Sequence, residues 1–279
     1  MSTATSIKNS VAIAIGGFDG MHVGHQHLFG ELGEKGCVVV IDSGFANITP
    51  GTRREKFTHY PVFYFPLDEI RHLDAEGFLK LLYKQFPKLK KIVVGYDFYF
   101  GKDRAYSFDD LTKLFSGEVK VIEEVKVHGE SVHSRTIRQK LSSGDIKTAS
   151  SLLGHNYTIE GELIRGQGIG AKELVATINL HVRDYILPKE GVYVTLTRID
   201  DEEHYHPSVS FVGHRVSTDG HFAVESHILD GEILCHEKAS VSFVDFIRDN
   251  KKFDDLSALK EQIQKDINIA KKELKMLQL

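Results

Sequence analysis

Compact apolar runs alternate with helically spaced ones through the first half of the chain. Residues 11–15, 37–41, 62–65 and 91–94 are short runs rich in Val, Ile and Phe that read as buried strands, and 119–125 is a fifth candidate. Helical material follows the first run over 23–35, and 75–86 places Phe78, Leu81, Leu82 and Phe86 at helical spacing. Strands separated by helices predict a parallel sheet with helices on both faces. Ligands of such sheets bind beyond the carboxyl ends of the strands. Two polar, Gly-punctuated loops, 16–24 and 95–101, lie there.

Residues 136–141 and 145–153 read as short helices that end this first domain. The pattern then changes. Residues 157–163, 191–197, 209–212, 222–228 and 240–246 are strand-like and separated by turns, which predicts a small β-barrel or sandwich. Apolar residues at 256, 259, 263, 267, 270, 274 and 277 form one stripe on a terminal helix. The boundary is placed at 153/154, with domains 1–153 and 154–279.

Composition narrows the class. A length of 279 residues suits two modest domains. A formal net charge of -4, with no basic repeat, argues against nucleic acid as a partner. The polar start and the brief first apolar run fit neither a signal peptide nor a membrane span, so a cytoplasmic location is expected. Cys37 and Cys235 stand far apart in no metal-like spacing and read as two buried thiols.

The strongest chemical signal is Gly16-Gly17-Phe18-Asp19-Gly20-Met21-His22-Val23-Gly24-His25. Glycines let the backbone turn sharply and approach a ligand. His22 and His25, three residues apart, share one face if a helix begins near His22, beside its free N–H groups. That arrangement suits a triphosphate, and no third ligand of suitable spacing supports zinc.

This segment closely resembles the flavin branch of the HxGH nucleotidyltransferases, found in bacterial bifunctional riboflavin kinase/FAD synthetases. The resemblance continues through Val93-Val94-Gly95-Tyr96-Asp97-Phe98-Tyr99-Phe100-Gly101 and through Ser134, Ile137 and Arg138. It implies a Rossmann-like nucleotidyltransferase domain that joins FMN to ATP, giving FAD and pyrophosphate. Gly16, Phe18, Asp19, Gly20, His22, Gly24, His25, Ser134, Arg135 and Arg138 would form the ATP side. His22, His25 and Arg138 would stabilise phosphate charge, and Gly95, Asp97, Phe98 and Phe100 would form the flavin side. The family's Ser-Ser-Thr becomes His133-Ser134-Arg135 here, and the run Arg53-Arg54-Glu55-Lys56 reads equally as a family basic segment or a solvated helix start.

The C-terminal half resembles a riboflavin kinase module, which implies a six-stranded β-barrel followed by helix. Gly161, residues 166–170, Thr177, Asn179, Gly191-Val192-Tyr193 and residues 224–230 carry the resemblance. Glu225 would be the general base towards riboflavin, with Arg248 and Phe253 also on the flavin side. Gly168, Gly170, Lys172, Thr177 and Asn179 would hold ATP, and Thr177 and Asn179 would supply oxygens to Mg²⁺. The Gly-Phe-Pro that the family places before the Thr is Leu174-Val175-Ala176 here. The leading expectation is an enzyme with both activities, acting on small molecules as a monomer without an obligate partner. FAD synthesis alone with a divergent flavin-binding or regulatory C-terminal domain, a non-catalytic flavin sensor, and a nucleotidyltransferase with another acceptor are the alternatives.

Overall fold

The computed structural model describes residues 7–164, 177–200, 202–217, 219–230 and 237–276. The chain divides into two compact units, 1–134 and 135–279.

The first unit is built on five parallel strands: β1 (Ala12–Gly16), β2 (Gly36–Asp42), β3 (Val62–Pro66), β4 (Lys91–Gly95) and β5 (Glu118–Ile122), in the order β3-β2-β1-β4-β5. The longer α-helices are α1 (Val23–Gly30), α2 (Ala75–Gln85) and α3 (Phe108–Leu114). Successive side chains of a strand point to opposite faces. Ile13 and Ile15 of β1 therefore join one core with Phe78 and Leu82 of α2 and Phe86 just after it, while Ala12 and Ala14 join another with Leu28 and Phe29 of α1. Burial on both faces explains the unbroken apolar runs. Helix α2 starts where Asp74 accepts a hydrogen bond from the Gly77 N–H (2.8 Å). The first helix is shorter than its sequence predicts because the chain turns at Glu31.

Strand order reverses between β1 and β4, since β2 and β3 lie on one side and β5 on the other. The loops after β1 and β4 leave neighbouring parallel strands at this switch point, where open α/β sheets bind ligands.

The second unit opens at Arg135 within α4 (Ser134–Ser143), followed by α5 (Ile146–Leu153). The sequence assigned these helices to the first domain; by compactness they group with the C-terminal strands. Lys147 of α5 is ion-paired to Asp245 at 2.6 Å, and the Lys189 N–H donates to the Leu141 carbonyl (2.9 Å). The strands are β6 (Thr158–Ile164), β7 (Ile178–Val182), β8 (Gly191–Ile199), β9 (His206–His214), β10 (Phe222–Ile228) and β11 (Lys238–Asp249). They close an antiparallel barrel in the order β6-β7-β10-β9-β8-β11. Closure removes exposed edges. Helix α6 (Leu256–Met276) lays Ile267, Ala270 and Leu274 on Val192, Val194 and Leu196 of β8.

Inside the barrel, Thr195, Thr197, Ser208, Ser210 and Ser226 are fully buried and bond to one another. Thr195 meets Ser208 and Ser210, Thr197 meets Ser208 and Ser226, and Ser210 meets Ser226, at 2.7–3.0 Å. The five hydroxyls form a ring in which each can donate once and accept once, so no buried polar group is wasted.

Candidate functional sites

In the first unit the loop after β1 carries backbone strain. Phe18 and Met21 hold φ of 50° and 46°, and Gly20 a φ of 90°. Residues other than glycine adopt this region at a cost of roughly 1–2 kcal/mol. The surroundings hold it there: Phe18 and Met21 are buried in the core. A Cβ on Gly24 would come within 3.2 Å of the His22 ring.

His22 caps α1, its Nδ1 accepting the His25 N–H at 3.3 Å. That bond needs a lone pair on Nδ1, so the neutral ring carries its proton on Nε2, which makes that nitrogen the donor. The His25 ring stacks on His22, with centroids 3.5 Å apart and planes 17° from parallel, and meets the Phe18 edge at 5.0 Å. Burial, then the charges of His22, Arg54 and His133, hold the His25 pKa well below the ordinary value. Among the described residues, Nδ1 of His25 is buried without a partner.

Asp19 clamps a neighbouring loop. Its carboxylate accepts the N–H groups of Asn47 (3.3 Å), Ile48 (3.0 Å) and Thr49 (2.9 Å). Ser134 Oγ donates to the Asp19 carbonyl at 2.7 Å. Arg54, open to two readings in sequence, is only 1% exposed. It donates to the Gly51 carbonyl at 3.1 Å and lies 3.7 Å from Asp42. Arg54 is thus not solvated, while Glu55 and Lys56 of the same short helix are exposed.

The loop after β4 divides its expected flavin contacts. Phe98 and Phe100 are buried in the core, 5.7 Å apart and stacked, so their rings serve packing. Asp97 is exposed and Gly95 half-buried. Tyr96 OH bonds His133 Nε2 at 3.0 Å, and Glu124 lies 3.6 Å from the same nitrogen. Arg135 and Arg138 stand on α4, in the second unit.

In the second unit antiparallel pairing places Asn179 of β7 directly opposite Glu225 of β10. Opposed residues share a face with Cβ atoms about 4.5–5.5 Å apart. Thr177 stands two residues before Asn179, just outside β7, so alternation carries it to the same face. Burial pushes the Glu225 pKa up, and Arg215, 3.1 Å away, opposes the rise. Arg215 in turn holds both oxygens of Asp219. Arg248 is committed elsewhere: it grips Asp266 of α6 at 2.7–3.0 Å through Nε and Nη2, and its guanidinium lies 5.7 Å from the Phe253 ring. Gly168, Gly170 and Lys172 lie outside the described residues, as do residues 174–176 and Cys235.

The sequence did not single out Arg215 or Asp219. Their signal was an Arg and an Asp four apart in a turn ending at Gly220, a pattern shared with many surface hairpins.

Two family models match in tandem, FAD synthetase over residues 56–136 and riboflavin kinase over 153–274. The chain belongs to the bifunctional riboflavin kinase/FAD synthetase family. The relative from Listeria monocytogenes, a bifunctional riboflavin kinase/FMN adenylyltransferase, is 26% identical, covering 91% of this chain and 89% of its own. The Pseudomonas fluorescens protein of the same name is 29% identical over 92% and 91%. A solved structure from Streptococcus pneumoniae, described as a macrolide-efflux protein, superposes with a TM-score of 0.81 at 26% identity, covering 94% of each chain. Among the described residues here, no helix is long and apolar enough to cross a membrane.

Proposed function

We propose that this chain makes FMN and then FAD, phosphorylating riboflavin on its barrel and adenylylating FMN at the β1/β4 switch point. The observation that carries the reading is that each unit holds one pair of motif residues together: His22 stacks on His25, and Asn179 lies opposite Glu225.

At the first site the FMN phosphate attacks the α-phosphorus of ATP and pyrophosphate leaves. No covalent enzyme intermediate is needed, so catalysis rests on alignment and charge stabilisation. His22 donates from Nε2 to a phosphate oxygen, and the His25 ring, stacked beneath it, limits its rotation. Asp19 contributes by holding residues 47–49 against the phosphate loop. The family resemblance assigns Ser134, Arg135 and Arg138 to the ATP phosphates, and an Arg138→Ala variant with unaltered KM for ATP would remove Arg138 from that role.

At the second site Glu225 accepts the proton of the riboflavin 5′-hydroxyl as its oxygen attacks the γ-phosphorus, and ADP leaves. Burial suits the carboxylate to this task by strengthening its basicity. Thr177 and Asn179 offer neutral oxygen donors beside it. That donor set fits Mg²⁺, which keeps several waters and takes other ligands from phosphates. Bound there, Mg²⁺ would neutralise phosphate charge. Among the described residues no trio of His, Cys, Asp and Glu forms a separate metal cage. The reading extends to a monomeric cytoplasmic enzyme of small-molecule substrates.

The test is to incubate the protein with Mg-ATP and either riboflavin or FMN, separating flavins by chromatography. FAD from both, with transient FMN from riboflavin, is expected. FAD from FMN but nothing from riboflavin would leave only the first activity.

A further inference from the structure

We propose that Arg215 is a positioning residue for riboflavin phosphorylation, aiming the Glu225 carboxylate from the turn between β9 and β10. This rests on the reading of Glu225 as the base.

Arg215 follows the last residue of β9, and the turn closes on it. Its N–H donates to the His221 carbonyl (2.9 Å), and its carbonyl accepts the Gly220 N–H (3.1 Å), Gly220 having a φ of 74°. The guanidinium divides its donors. Nε and Nη2 take the two oxygens of Asp219 at 3.1 and 2.9 Å, while Nη1 reaches across to Glu225 Oε1 at 3.1 Å. Asp219 is itself fixed, accepting the His221 N–H at 3.0 Å.

A bidentate pair is geometrically specific in a way a single contact is not. It immobilises the guanidinium, so the remaining Nη1 bond orients Glu225 against a rigid partner. Among the described residues Arg215 takes Oε1, and the substrate hydroxyl is assigned to Oε2. Asp219 also balances the charge of Arg215, so Glu225 is not held by an uncompensated cation. A turn that served only its own stability would end at the Arg215–Asp219 pair. The third bond, out of the turn and onto the strand carrying Glu225 opposite Asn179, is what stability alone does not require.

The experiment compares Arg215→Met, Arg215→Lys, Glu225→Gln and the Arg215→Met/Glu225→Gln double variant, measuring kcat and KM for riboflavin at saturating Mg-ATP. Misaiming a reacting group by about 1 Å costs on the order of 100-fold, so Arg215→Met should lose roughly that factor in kcat with KM for riboflavin little changed. Arg215→Lys should recover part of the loss, keeping the charge but not the fork. The double variant should be no slower than Glu225→Gln alone, because Arg215 acts through Glu225. Full kcat in Arg215→Met, losses that multiply in the double variant, or an effect confined to KM would overturn the inference. Should Arg215→Met fail to fold, Asp219→Asn, which loosens the same fork, is read by the same kcat-against-KM split. If Glu225→Gln keeps full activity, the base assignment itself falls. If Glu225→Gln is dead and Arg215→Met runs at full speed, only the role of Arg215 falls.

Discussion

Opening the hydroxyl ring inside the barrel should cost more than its single lost group suggests. Thr197→Val is nearly isosteric, so it creates little cavity. It removes the bonds to Ser208 (2.8 Å) and Ser226 (2.7 Å). Three bonds then remain among four buried hydroxyls, and one O–H donor has no acceptor. An unsatisfied buried donor costs roughly 1–3 kcal/mol. The added methyl offsets this by about 0.8 kcal/mol at most. The net expectation is about 0.2–2.2 kcal/mol, with a middle value of about 1 kcal/mol that lowers the melting of the barrel unit by roughly 3 °C. The Thr197→Val/Ser226→Ala double variant sharpens the argument. It leaves three hydroxyls with two bonds, and again one orphan donor. Its cost should therefore be close to that of the single variant, far from the sum of the two singles. Thermal and urea unfolding of the four proteins, followed by near-UV circular dichroism, measures the cycle. Additive losses, or a Thr197→Val protein as stable as the parent, would refute the closed ring.

Three further outcomes are expected. The His25 pKa is depressed in the fold, so the unfolded chain binds more protons and stability is lost as pH falls below about 6.5; His25→Asn should flatten that part of the stability profile, as read by urea midpoints between pH 5 and pH 8. Burial raises the Cys37 thiol to about 12, so peptide mapping should find Cys37 unalkylated by iodoacetamide at pH 8 until the protein is denatured. Arg248→Met leaves Asp266, 1% exposed, without its cation; the cost should be about 3 kcal/mol, detected as early melting and proteolysis of α6, while Arg248→Met/Asp266→Leu should restore much of it.

Local patterns were legible because their partners are close in sequence. The central strands β1, β2 and β4 of the parallel sheet announced themselves as apolar runs buried on both faces. His22 and His25 were readable as a pair because one helical turn separates them, and the structure stacks them. Thr177 and Asn179 were readable as sharing a face because strand geometry alternates. Their nearness to Glu225 was supplied by resemblance, since only the register of β7 on β10 brings Asn179 opposite it. Arg54 could equally have been a surface charge, and nothing local showed that Asp42 and Gly51 would enclose it. Phe98 and Phe100 fit a ligand loop in sequence, but core packing claimed their rings.

The barrel marks the division most plainly. Along β8, Val192, Val194 and Leu196 alternate with Tyr193, Thr195 and Thr197, and the usual rule turns the aliphatic face to the core and the hydroxyls to water. The sequence by itself determined that this segment is an alternating strand. Tertiary structure decided which face was inside. Helix α6 covers the aliphatic face, so Thr195 and Thr197 turn into the closed barrel, where Ser208, Ser210 and Ser226 satisfy them. Alternation specifies two faces; only the elements packed against each determine what each one meets.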